Sequence, residues 1–162
     1  MKLKNLWSLL LMVPALATSQ QAPATRAPID VMKANVALIK NVAEKERWSA
    51  NIELWQIELA RTGPIAKTEH DRMSAVLERI RYNVGRIHNA PEKERWDANI
   101  QLWTAMIDDQ GVLSKASVAK LTPLFDTLKT NIAVITIATE RERWDANREL
   151  WQTMLSRGAA AF

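Results

Sequence analysis

The chain has 162 residues, is 48% hydrophobic and 25% charged, and carries 22 Lys and Arg against 18 Asp and Glu, for a formal charge of +4. Both signs are interspersed without a basic block, which gives no footprint for nucleic acid. With no cysteine, disulfides and thiolate metal sites are excluded, so a folded core must rest on packing alone.

In chain order, the first feature is a short basic stretch, Lys2 and Lys4, followed by an apolar run from Leu6 to Val13 and the small residues Ala15-Leu16-Ala17. This is the pattern of a secretory signal peptide, residues 1–17, with cleavage expected after Ala17. Its removal leaves 20 basic residues against the same 18 acidic ones, near +2. Export to a periplasmic or extracellular location follows as an expectation. No later segment is long and apolar enough to cross a bilayer. Residues 18–28, TSQQAPATRAP, read as a flexible leader.

The rest of the chain is organised by a phrase that occurs three times, 48 residues apart: Glu44–Trp55, Glu92–Trp103 and Glu140–Trp151. Eight of its twelve positions are the same in every copy, and a fixed period of this kind marks a repeat architecture. A single domain is expected over 29–158, in units of about 29–62, 63–110 and 111–158, with 159–162 as a tail. In each unit the first half has apolar residues at helical spacing. These are Ile29, Met32, Val36 and Ile39, then Met73, Val76, Leu77, Ile80, Val84 and Ile87, then Leu121, Leu124, Phe125, Leu128, Ile132 and Ile135. This half is helix A.

The phrase itself begins helix B. Its tryptophans lie seven apart and so share a face, with an asparagine between them. Leu59, Ile107 and Leu155 are expected to continue that face. Pro91, and a capping box at Thr139–Glu142, predict a break between A and B. Thr62-Gly63-Pro64, Gln110-Gly111 and Gly158 predict stops after each B. The β-branched run 131–139 aligns with helix A of the other units and is assigned to helix. The expected fold is therefore all-α: three tandem 48-residue helical hairpins stacked as a short solenoid or bundle. Three long, kinked antiparallel helices are the alternative. In general design the unit resembles helical-repeat modules such as tetratricopeptide and HEAT repeats. Its period is too long for the former and its residue pattern matches neither, so no residue roles carry over.

The candidate site residues are those that recur: Arg47, Trp48, Asn51 and Trp55; Arg95, Trp96, Asn99 and Trp103; Arg143, Trp144, Asn147 and Trp151. Six tryptophans in register suit either an interface between units or an aromatic groove for a ligand. The asparagines on an apolar face must find partners, and bridges between units or to tryptophan N–H groups are expected. Glu92 and Arg95, three apart, read as an ion pair on one helix surface. His70 and His88 are too far apart along a helix to share a metal, and no metal, cofactor or catalytic residue is predicted. The expected function is an exported, non-enzymatic scaffold presenting a surface to a protein or cell-envelope component. A small-molecule binder with its ligand against the tryptophans is the alternative, and an enzyme using the Glu/Arg cluster is a third reading.

Overall fold

Among the described residues there are six helices: α1 (Pro28–Ala37), α2 (Val42–Ala60), α3 (Lys67–Val84), α4 (Ala90–Asp108), α5 (Lys115–Ala133) and α6 (Ala138–Ala160). A computed structural model describes residues 26–160, so the expected signal peptide at 1–17 and most of the leader lie outside the described residues. Pro28, placed in the leader by sequence, is the first residue of α1, and Ala159 and Ala160, placed in the tail, extend α6.

Each 48-residue unit is two helices, A and B, separated by a short joint. The joints use no left-handed residue. Leu38, Gly85 and Val134 all close their helices with right-handed backbone (φ −84°, −56° and −88°), so a β-branched residue serves as well as glycine. The next helix is restarted by a side chain in the first two units. Asn41 and Asn89 cap α2 and α4, accepting from the backbone N–H of Glu44 and Glu92 at 2.9 Å. Pro91 sits in the first turn of α4, where its missing N–H costs nothing. The expected capping box at Thr139 is not the start of α6, which begins one residue earlier, at Ala138. The β-branched run also divides: α5 ends at Ala133, and Val134–Ile137 forms the joint. His88 likewise lies beyond the end of α3 and not on the helix that carries His70.

The B helices stop as expected after the first two units. Gly111 adopts φ +84° and its N–H reaches back to the Met106 carbonyl at 2.8 Å. The conformation calls for glycine; a Cβ there would also meet the end of the Arg61 side chain, which is flexible enough to move aside. Gly158 does not end α6, which runs two residues further. It is buried, and a Cβ on it would meet the Leu113 carbonyl oxygen at 2.7 Å and a Val118 methyl at 2.8 Å. Its role is to let α6 approach the α4–α5 turn closely.

The helices form a closed ring. α3 packs on both α2 and α4, α5 on both α4 and α6, and α1 on both α6 and α2. The contact of α1 with α6 joins the two ends of the described chain, and it is as extensive as the contact of α4 with α5. The arrangement is thus a bundle with approximate threefold symmetry, without the free end units of a solenoid. α2, α4 and α6 form the inner trio. Their backbones stand apart, and their side chains fill the axis. α1, α3 and α5 fill the outer clefts between them.

Every apolar residue predicted for helix A of the second unit is buried, Met73 and Ile80 completely. Leu59 departs from its equivalents: Ile107 and Leu155 are buried, whereas Leu59 is 44% exposed on a groove shared with Val112 and Met154.

Replacing Gly158 by alanine tests the close approach. Alanine favours a helix interior by about 1 kcal/mol over glycine. Here the methyl group has no room, and Gly158→Ala is expected to destabilise by about 1–3 kcal/mol in a urea titration.

Candidate functional site

The recurring residues meet along the threefold axis in four layers. Trp48, Trp96 and Trp144 form one triangle, edge to face, with ring centroids 4.8–5.1 Å apart. Trp55, Trp103 and Trp151 form a second triangle at 4.5–4.7 Å. These spacings and tilts are those at which aromatic quadrupoles attract. The six indoles are at most 1% exposed, so they are core and line no surface groove.

Between the triangles lies a ring of amides. Asn51 donates to the Asn147 Oδ1 at 2.9 Å, Asn147 to the Asn99 Oδ1 at 3.0 Å, and Asn99 to the Asn51 Oδ1 at 3.0 Å. Each Oδ1 also accepts one indole N–H: Trp55 on Asn147, Trp103 on Asn51 and Trp151 on Asn99, at 2.8–2.9 Å. All three asparagines are fully buried. Two lone pairs on each oxygen are matched by two donors, one amide N–H and one indole N–H, so each Oδ1 is satisfied without water.

The fourth layer caps the axis at the start of the B helices. Arg47 pairs with Glu92, Arg95 with Glu140 and Arg143 with Glu44, at 2.7–2.8 Å. The pairs therefore bridge neighbouring units; the expected pairing of Glu92 with Arg95 on one helix does not form. Each guanidinium lies 5.5–5.8 Å from an indole centroid of the next unit, a cation–π contact that keeps the charge in place. Sequence spacing assigned Glu92 to the wrong arginine and did not single out Glu44 or Glu140. They lie one unit on and three residues back from the arginine they meet, so only parallel B helices in matching register reveal them. Farther out, Asn35, Asn83 and Asn131 donate to Glu142, Glu46 and Glu94 and fasten each outer helix to an inner one.

This layer is electrostatically tense. Burial lowers the affinity of Arg95 and Arg143 for their protons despite the facing glutamates. Burial likewise raises Glu44 above its ordinary value of 4.5, opposed by Arg143 and reinforced by the charges of Glu92 and Glu140. The ion pairs thus fix which unit meets which while giving up solvation. Outside the ring, Glu53 behaves in the opposite sense. Its burial is slight, and Arg72 and Arg79, both at 2.9 Å, hold its carboxyl below the usual range.

No family model, curated protein or solved structure matches the chain. Chemical possibilities therefore rest on the geometry. Among the described residues no group of three or more His, Asp or Glu is arranged to hold a metal ion. The amides bond to one another and to the indoles of Trp55, Trp103 and Trp151, and each arginine reaches a carboxylate through a terminal nitrogen, while the buried Nε of Arg47, Arg95 and Arg143 has no partner.

Two predictions follow from the ring. Because every unit has two neighbours, Trp55→Ala, Trp103→Ala and Trp151→Ala should each cost about 3–5 kcal/mol and agree within about 1 kcal/mol by urea unfolding. An open stack would instead spare the end unit.

The pH dependence should have opposite signs at two glutamates. Glu44, raised in the folded chain, adds stability below its ordinary 4.5 that is lost as the pH climbs through its folded value. Glu53, lowered, adds stability above 4.5 that is lost as the pH falls. Relative to wild type, Glu44→Gln should therefore gain stability between pH 3 and pH 7, and Glu53→Gln should lose it, measured by urea midpoints across that range.

Proposed function

We propose that the protein is an exported, non-catalytic scaffold whose helical outer surface engages a protein or a component of the cell envelope. One observation carries this reading. The repeated tryptophans, axial asparagines and arginines are buried on the axis, where the asparagines bond to one another and to Trp55, Trp103 and Trp151, and each arginine pairs with a glutamate of the next unit. What is left for a partner is the exterior of the ring, where the three units differ. Outer positions that follow Arg79 and Tyr82 at the 48-residue period hold Thr127 and Thr130 in the next unit. Closed helical rings of this size supply rigid surfaces that ordering on binding does not penalise. A ligand held against the tryptophans finds no support, because the indoles are fully enclosed.

The test combines binding and turnover. The purified protein should co-sediment with isolated envelope fractions and show no hydrolysis of ester, amide, phosphate and glycoside substrates. A turnover that disappears in Glu94→Gln or Arg95→Lys, with helix content unchanged by circular dichroism, would overturn the reading.

A further inference from the structure

The repeat carries its own control for what the fold requires. A position needed for packing holds the same or a similar residue in every unit. A position that departs from its two counterparts in both size and charge is free of that requirement. One cleft collects such departures. It lies between α2 and α3, has a volume of about 560 Å³, and is lined by Glu46, Ser49, Glu78, Arg79, Tyr82 and Asn83. Sites for small ligands occupy roughly 300–1,000 Å³.

The frame of the cleft is common to all three units. Asn83 donates to Glu46 at 3.2 Å, as Asn131 does to Glu94 and Asn35 to Glu142, both at 3.0 Å. An acidic residue recurs at Glu78, Asp126 and Asp30. The other three walls are particular to this cleft. Ser49 stands where the corresponding positions hold Asp97 and Asp145, Arg79 where they hold Thr127 and Val31, and Tyr82 where they hold Thr130 and Ala34. One carboxylate is thus removed, one cation is added, and an aromatic ring is set on the wall. Asp97 and Asp145 are taken up by Lys93 and Arg148, whereas Ser49 contributes only a small hydroxyl.

Most of the charge in the cleft is already engaged. Arg79 pairs with Glu53 at 2.9 Å, and Glu78 pairs with Arg81. Asn83 bonds to one oxygen of Glu46. The exchange of Asp for Ser and the gain of Arg79 both move the cleft away from cation binding, and the two carboxylates oppose an anion. Polar groups for a neutral ligand are present in both senses. Glu46 accepts, Arg79 donates, and the hydroxyls of Ser49 and Tyr82 do either. Those hydroxyls take part in none of the hydrogen bonds that fasten α2 to α3. Tyr82 is 71% exposed, and Arg86, 5.9 Å from its ring centre, occupies at most one face.

We infer that this cleft binds an uncharged oligosaccharide, with one sugar ring on the face of Tyr82 and its hydroxyls on Glu46, Ser49 and Arg79. The C–H face of a sugar ring carries small positive charges that suit the negative face of an aromatic ring, and it gains by leaving water. Each sugar hydroxyl both donates and accepts, so it needs walls that supply both, and a bond to a carboxylate is charge-assisted. The inference rests on the envelope half of the function proposed above and names a glycan as the component engaged.

The isotope-labelled full chain is titrated with chitotriose, cellotriose and maltotriose, and with hexalysine as a cationic probe, while amide resonances are followed by NMR. At least one of the three sugars should shift the amides of Ser49, Arg79 and Tyr82 and leave those of Asp97, Thr127 and Thr130 in place. Tyr82→Ala, at an exposed position, should weaken that binding tenfold or more. Tyr82→Phe keeps the ring and should weaken it no more than threefold. Ser49→Asp, which restores the residue of the other units, should weaken it as well, and Thr130→Ala should leave it unchanged. Circular dichroism checks each variant; should Ser49→Asp lose helix content, the two Tyr82 variants decide. Absence of binding to all three sugars, or undiminished binding by folded Tyr82→Ala, would overturn the inference. So would hexalysine occupying the cleft in preference to the sugars, which would make Glu46 the centre of a cation site. Wild-type protein that ignores the sugars yet co-sediments with glycan-free envelope protein would sink the glycan and leave the scaffold reading standing.

Discussion

Three buried asparagines decide how the units meet. An amide in a dry core is costly unless both its donor and its acceptor are used. Here each amide finds its partner on the next inner helix, and each oxygen takes an indole N–H as well. The cycle closes only when three helices are present at one spacing and in one register. Sliding an inner helix by a residue would strand several buried donors at once, each costing about 1–3 kcal/mol. The tryptophans are among the largest fully buried side chains, but apolar area is tolerant of register; the amides are not.

The arginine layer repeats that logic at the rim of the axis with charge in place of amide. Burial works against Glu44, Arg95 and Arg143 in their ionised forms, so the layer contributes selectivity more than stability. The outer helices are then held by a second, weaker set of bonds, from Asn35, Asn83 and Asn131 to glutamates of the inner trio.

The period of 48, the seven-residue step between tryptophans and the helical spacing of Met73 to Ile87 made the helices and their buried faces legible in the sequence. So was the need for the asparagines to bridge, because a polar residue repeated on an apolar face has few other uses. Closure was not legible. A repeat states that successive interfaces are alike, but it does not state the angle between them, and a turn of roughly a third of a circle per unit is what brings α1 onto α6. The ion pairs were hidden for a related reason: Glu92 lies three residues from Arg95 on its own helix and one unit away from Arg47, and spacing alone favours the nearer partner. Gly158 shows the same gap. A glycine near a chain end reads as a stop, whereas its neighbour Leu113 belongs to a turn 45 residues earlier.

The seam between α1 and α6 has a consequence for how the molecule comes into being. α1 is made first, yet Asn35 bonds to Glu142, 107 residues later. Each of the other two outer helices meets its corresponding glutamate within 37 residues. Until the last inner helix exists, neither the amide cycle nor either indole triangle can be completed, and two thirds of the chain would leave tryptophan faces open to water. Completion of the core therefore waits until α6 has been made. A chain built this way stays threadable for as long as it is incomplete, and becomes hard to open only once its first and last helices have met.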